Sequence, residues 1–334
     1  MAARPRRGSS SLEMLSISSA VLMAENWTSN CRILAVPLLC LALALPAYPW
    51  GATGHHVVAL IAQRRLSPEV RDRIDRLLFN GRYSIRDIAA CADQIRSGSP
   101  KPGAKAYPVD ETCNIVAGEV KGNTGPWHYI DIPVPTKETD LEKFCPKGDC
   151  VVDQIERFAK ILHDSNDDRE RRVALLFIVH FMGDIHQPLH AAERACDQGG
   201  NKELVNFYLG EEERADVRLH SVWDTDLVNK LMKDSGLDDE QALTSDLASR
   251  IDDVEAQRWA RATAPQIAWE SYRIAKKRVY RGIPFQDFCD KDVKAGAATN
   301  LTAGYENSGK RIVREQLMKA GVRLAAILEQ NVTH

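Results

Sequence analysis

Residues 180–190 read HFMGDIHQPLH and close a segment whose apolar residues have helical spacing. His180 and Asp184 are four residues apart, so they share one face of a helix. Burying an imidazole and a carboxylate without partners is costly, and a metal ion would remove that cost. Pro188 ends or bends the helix and brings His190 round as a third candidate ligand.

Three other short motifs carry the same chemical groups. A single histidine on a helix is usually an ordinary core or surface residue, so the hypothesis of a metal site depends on the whole set. The motifs are CADQIR at 91–96 with Asp93, WHYID at 127–131 with His128, and LHSVWD at 219–224 with His220 and Asp224. Imidazole and carboxylate groups without thiolates are suitable ligands for zinc.

The first 49 residues have the pattern of a signal peptide. Basic residues precede the apolar run 33–46, and small residues such as Ala47 accompany its end. We predict a cleaved signal peptide over 1–49 and a secreted or periplasmic chain without a membrane anchor; an uncleaved anchor is the alternative. Pro49 is a poor residue for signal cleavage, so cleavage after Ala47 and a second step that removes Tyr48-Pro49 are expected.

Composition limits the remaining classes of function. The chain has 334 residues, of which 44% are apolar and 27% charged, with a formal net charge of −2. Removing residues 1–49 takes away four Arg and two Glu and leaves a charge of −4 with His counted as neutral. A protein held to nucleic acid mainly by charge should be basic, so any phosphate recognition must be local.

Six cysteines remain after residue 49, an even number that predicts disulfides in an exported chain. Cys145 and Cys150 could form a short-loop bridge, but six cysteines allow 15 pairings and the sequence does not choose among them.

The mature part is predicted to be one mainly α-helical domain over 50–334, with small irregular or hairpin insertions. No internal repeat or linker divides it. Residues 97–127 are predicted to form a loop, and 191–219 an irregular segment with a short hairpin. Helices are predicted over 57–66, 70–79, 85–96, 151–163, 169–186, 222–232, 238–251, 254–278 with an interruption at Pro265, and 309–329.

The ordered set of motifs resembles the zinc-dependent single-strand-specific nucleases of fungi, plants and bacteria, the S1/P1 nuclease family. These motifs are WGATGH at 50–55, AD at 92–93, WHYID, HFMGDIHQPLH, GGN at 199–201 and HSVWD at 220–224. The resemblance implies the fold of the superfamily that contains this family and the three-zinc phospholipases C.

The resemblance implies three zinc ions per chain. One would be held by Asp93, His128, His180 and Asp184. A second would be held by the α-amine and carbonyl of Trp50, by His55 and by Asp184, which bridges the two ions. A third would be held by His190, His220 and Asp224. Export would then complete the site, because a peptide bond before Trp50 removes the amine ligand.

The resemblance also implies an activity. The enzyme would hydrolyse single-stranded DNA and RNA endonucleolytically to 5′-phosphate products, would act on 3′-nucleotides, and would be a monomer without a stable protein partner. Asp93 would orient the attacking water and Arg96 would bind a phosphate oxygen. Tyr129 would stack on a base, and Asp131 and Asn201 would bind base edges.

Two other functions are compatible with the same residues. One is a zinc-dependent phospholipase C of the same superfamily. The other is an exported zinc-binding protein without activity, which the carboxylate-rich ligand sets with open positions disfavour.

Overall fold

The computed structural model describes residues 50–96, 112–114, 120, 122–293 and 296–333. The predictions for the signal peptide and for most of the loop 97–127 lie outside these residues. Helices dominate the described part, as predicted. They are α1 Gly51–Arg65, α2 Pro68–Leu77, α3 Ile85–Ile88, α4 Cys91–Gln94, α5 Val151–Asp164, α6 Asp168–Asp184, α7 Leu219–Ser221, α8 Leu227–Asp234, α9 Glu240–Ser249, α10 Asp253–Trp259, α11 Ala264–Ile274 and α12 Ala303–Asn331.

Helix α6 lies at the centre of the fold. Asp167 caps its first turn by accepting a hydrogen bond of 2.7 Å from the backbone N–H of Arg169. Every residue from Ala174 to Asp184 is buried, because α1, α5 and α12 pack around this helix. An apolar helix that is covered on all sides is typical of the core of a large domain.

The longest helix, α12, packs against α1 at close range. A Cβ atom on Gly321 would lie 2.5 Å from the Cβ of Ile61 and 3.2 Å from the carbonyl oxygen of Val58. The sequence predicts a start at residue 309, but α12 begins at Ala303. The hydroxyl of Thr302 accepts a hydrogen bond from the N–H of Tyr305 and so fixes the earlier start.

The single helix predicted over 85–96 is wrong. The structure has two short helices, α3 and α4, separated by a turn at Ala89 and Ala90. The carbonyl oxygen of Ala89 accepts a hydrogen bond of 2.8 Å from Nδ1 of His180. This long-range contact takes a carbonyl that a continuous helix would use internally.

The helix predicted over 254–278 is interrupted before Pro265 and not at it. Helix α10 ends at Trp259, and α11 begins at Ala264. Thr263 and Gln266 form a reciprocal capping box, and Pro265 sits in the first turn, where its missing N–H carries no penalty. The proline therefore begins a helix instead of breaking one. Helix α1 likewise starts earlier than predicted, at Gly51.

A small sheet is the main departure from helix. Strands β1 (Leu204–Leu209) and β2 (Glu212–Arg218) form the antiparallel hairpin predicted within 191–219. Strand β3 (Thr299–Asn300) pairs with β1 in parallel, which gives the order β2-β1-β3. The mainly α fold with a hairpin insertion is therefore confirmed.

Three disulfides join the six cysteines that follow residue 49, as predicted for an exported chain. The expected pair Cys145–Cys150 is present. The other two bridges are Cys91–Cys113 and Cys196–Cys289, which the sequence left among the open pairings. Within the described ranges, no helix has both the length and the apolar character needed to cross a membrane.

The contact between α1 and α12 predicts that alanine substitutions at two glycines of α12 change the free energy of unfolding in opposite directions. Gly321→Ala should lower the free energy of unfolding by about 1–2 kcal/mol, because overpacking against Ile61 outweighs the gain in helix propensity. Gly304→Ala is the control, since its Cβ would meet only the Thr302 hydroxyl, at 3.8 Å. Chemical denaturation measures both. A Gly321→Ala protein as stable as the wild type would contradict the packing.

Candidate metal centre

Four donor atoms from α4, α6 and the short 3₁₀ helix Gly125–His128 meet in the interior. Nδ1 of His128 lies 2.9 Å from Oδ2 of Asp184 and 3.1 Å from Nε2 of His180. Oδ1 of Asp93 lies 3.6 Å from each of these imidazole nitrogens. A tetrahedral ion with ligands at about 2.0–2.1 Å needs ligand separations of roughly 3.3–3.4 Å. The four atoms therefore have the spacing of a first metal group.

A second group shares Asp184. Its Oδ1 lies 3.5 Å from Nε2 of His55, so the two carboxylate oxygens face two different sets of imidazoles. The rings of His55 and His180 stack with centroids 3.9 Å apart. Glycine is required at position 183, because a Cβ there would lie 2.6 Å from Nδ1 of His55. Trp50 is fully buried at the start of α1, and its carbonyl accepts a hydrogen bond from the N–H of Gly54.

The third group is formed by His190, His220 and Asp224. Nε2 of His220 lies 3.1 Å from Oδ2 of Asp224, and Nε2 of His190 lies 3.9 Å from Oδ1. His190 is carried by the 3₁₀ turn Pro188–Ala191, as the proline predicts. Asp224 lies in a π-helical turn over Val222–Asp226, between α7 and α8. Such turns inside helices are frequent at functional sites.

Backbone carbonyls orient three of the imidazoles. Nδ1 of His180, His190 and His220 donates to the carbonyls of Ala89, His128 and Gly199, at 2.8, 2.8 and 2.6 Å respectively. A hydrogen bond at Nδ1 leaves the Nε2 lone pair for a metal ion. In His180 and His220 it is Nε2 that faces the neighbouring carboxylate. In His190, Nε2 lies 3.9 Å from Asp224 and Nδ1 lies 3.7 Å from Asp184.

The electrostatic environment favours a cation. Burial and the charge of His180 hold the pKa of His128 well below its usual range, and burial with His220 does the same to His190. Burial opposes charge on His180, but Asp184 and Asp93 outweigh it and raise the His180 pKa. A proton on His180 thus balances these carboxylates, and a bound divalent cation would supply that positive charge instead.

Several buried ligand atoms of the three groups also fit bound metal ions. They accept no hydrogen bond from the residues that the structure describes, although an unsatisfied buried polar atom is costly. These atoms are Oδ1 of Asp93, Oδ1 of Asp184, Nε2 of His190 and Oδ2 of Asp224. Each belongs to one of the three groups, so the donor set fits metal ions held by imidazole and carboxylate.

The four residues predicted to bind substrate or phosphate lie at the edge of this centre. Nη2 of Arg96 donates to the carbonyl of Gly125 at 3.4 Å, and its charge acts on His128. Tyr129 and Asp131 are half-buried. Burial, followed by Glu193, raises the pKa of Asp131 to about 7. The other predicted residue is Asn201.

The side chain of Asn201 takes part in a turn. Its amide nitrogen donates to the carbonyl of Gln198 at 2.9 Å.

Gln187 has a role that the sequence did not indicate. Its Oε1 accepts a hydrogen bond from the N–H of Leu189 at 2.5 Å, within the turn that Pro188 begins. Its Nε2 also donates to Oδ1 of Asp224 at 2.5 Å. The fully buried amide therefore fixes the orientation of a carboxylate 37 residues away. No sequence periodicity connects two positions at that distance.

His186 faces away from the metal groups. Sequence proximity predicts a supporting role beside the ligands, but its Nδ1 donates to the Met182 carbonyl and its Nε2 lies 2.8 Å from Nη1 of Arg323. Burial, with the charge of Arg323, lowers the His186 pKa to about 3. His186 therefore links α6 to α12 as a neutral side chain.

Comparison with known proteins gives consistent matches. A family model described as S1/P1 Nuclease matches residues 50–333. Nuclease S1 of Aspergillus oryzae is 26% identical over 311 residues, covering 89% of this chain and 97% of that protein. Endonuclease 1 of Arabidopsis thaliana is 28% identical, covering 92% and 95%. Nuclease P1 of Penicillium citrinum is 31% identical over 225 residues, covering 66% and 71%.

The Gln187–Asp224 contact predicts a selective loss of metal. Gln187→Glu should weaken binding of one metal ion by about 10- to 100-fold, because a second carboxylate replaces the donor that holds Asp224. Chelator competition measures the affinity of each ion. Gln154→Glu is the matched control, since Gln154 is also buried and donates to the carbonyl of Gly148. Equal metal binding by both variants would contradict the role of Gln187.

Proposed function

The chain belongs to the S1/P1 nuclease family, and we propose that it is a secreted or periplasmic three-zinc phosphodiesterase. It cleaves single-stranded DNA and RNA endonucleolytically to 5′-phosphate products and hydrolyses 3′-nucleotides. The observation that carries this proposal is the joint burial of three adjoining imidazole–carboxylate groups, in which one oxygen of Asp184 faces His128 and the other faces His55.

Zinc is the ion that this donor set favours. The ligands are nitrogen and carboxylate oxygen, and the first group has tetrahedral spacing. We assign the first ion to Asp93, His128, His180 and Asp184. The second is assigned to the amine and carbonyl of Trp50, to His55 and to Asp184, and the third to His190, His220 and Asp224.

The mature chain is proposed to begin at Trp50 and to form one domain. Its free amine becomes available after removal of residues 1–49. The disulfides of the described part fit an oxidising compartment outside the cytosol.

The chain's own residues position the reacting groups. Bound zinc supplies Lewis acidity, which makes water a nucleophile near neutral pH and neutralises charge on the phosphodiester. The carboxylate of Asp93 orients the attacking water and accepts its proton. The guanidinium of Arg96 binds a phosphate oxygen through a charge-assisted hydrogen bond.

Base recognition explains the preference for single strands. The ring of Tyr129 stacks on a base, while Asp131 and Asn201 bind its edge. A duplex hides both the faces and the edges of its bases, so these contacts are available only to an unpaired nucleotide. A basic groove is not needed for this selectivity, in agreement with the negative net charge of the chain.

Removing the shared carboxylate tests the proposal. Asp184→Asn should lower kcat/KM for single-stranded DNA by about a thousandfold, because metal ions contribute several kcal/mol to such reactions. Asp252→Asn is the control, since Asp252 only caps α10.

The assay compares single-stranded DNA, duplex DNA and lecithin, and it identifies the phosphate end of the product. A wild-type protein that hydrolyses lecithin but not DNA would contradict the nuclease assignment and favour a phospholipase.

A further inference from the structure

Phe285 is unusually exposed for a residue whose backbone is firmly held. Phe285 is 68% exposed to solvent. The guanidinium of Arg194, itself buried, donates to the carbonyl of Ile283 at 3.1 Å and to that of Pro284 at 3.0 Å. These bonds fix the two residues immediately before Phe285, so the ring is presented to solvent from an ordered segment.

Two further contacts hold the segment 283–289, which carries Phe285. The disulfide Cys196–Cys289 joins it covalently to the loop 191–203. The guanidinium carbon of Arg194 lies 4.5 Å from the centroid of the Tyr280 ring and 6.0 Å from that of Phe285. Arginine stacked among aromatic rings is a stable arrangement in proteins. The position of the Phe285 ring is therefore built into the fold.

The loop 191–203 connects Phe285 to the metal centre. The carbonyl of Gly199 in this loop accepts the hydrogen bond that orients His220. Glu193 forms backbone hydrogen bonds with Ile132 and Val134, next to Asp131. Arg194 is four positions after His190 in the chain, and four extended residues span at most about 14 Å. Phe285 thus lies beside the loop that supports both the third metal group and the base-binding residues.

We propose that Phe285 stacks on a base of a single-stranded substrate, several nucleotides from the bond that is cut. This inference rests on the proposed function. Exposed aromatic rings stack on any base, since every base has a π face. A strand advances by about 3.4 Å per nucleotide, so an oligonucleotide that runs from the metal centre along the loop 191–203 would reach this ring after several nucleotides. A mononucleotide bound at the metal centre would not.

Substrate length separates this role from the catalytic step. For a twelve-nucleotide single strand, Phe285→Ala should lower kcat/KM about five- to twentyfold, the lower part of the range for base–aromatic stacking. Adenosine 3′-phosphate should be hydrolysed at the wild-type rate. Phe285→Trp should keep the wild-type activity on the oligonucleotide. Phe285→Leu should keep only part of it. Binding of a phosphorothioate oligonucleotide should weaken by the same factor as kcat/KM.

Phe79→Ala is the matched control. Phe79 is 43% exposed at the end of α2, where Arg172 and Tyr83 contact its ring. An equal loss in both alanine variants, an unchanged oligonucleotide rate in Phe285→Ala, or an equal loss on the mononucleotide would overturn the inference. A wild-type protein inactive on both substrates would instead overturn the proposed function.

Discussion

Complete burial of the Asp184 carboxylate is the constraint on which this structure depends. An unpaired charge in the interior is costly, and here imidazoles approach both oxygens, with His128 at 2.9 Å, His180 at 3.2 Å and His55 at 3.5 Å. Three separate parts of the chain must converge to achieve this. The convergence explains the glycine at position 183, which lets α1 approach α6, and a metal ion would complete the balance of charge.

The outer parts of the site are held by long-range contacts. Gln187 fixes Asp224, and Gly199 orients His220 from the loop 191–203. That loop is tied to the segment carrying Phe285 by Arg194 and by a disulfide. Contacts of this kind restrict the movement of the ligating side chains, which favours catalysis by positioning. The same contacts connect the metal groups to the exposed ring of Phe285.

The sequence predicted the features that depend on local spacing. His180 and Asp184, like His220 and Asp224, are four residues apart and fall on one helical face. Most helices, the hairpin and one short-loop disulfide were also predictable. Contacts between distant residues were not. The Ala89–His180 hydrogen bond that splits α3 from α4 joins residues 91 apart, and the Gln187–Asp224 pair has no periodic signal. The grouping of ligands came from the family resemblance and not from spacing.

The chain is proposed to bind three zinc ions, and removal of residues 1–49 is proposed to complete the site at Trp50. Native mass spectrometry of the exported protein measures zinc per chain and the intact mass in one experiment. We expect three zinc ions on a chain that begins at Trp50. Zero or one zinc ion on a chain with that terminus would contradict the metal assignment, and fully active protein beginning at Tyr48 would contradict the role of the amine.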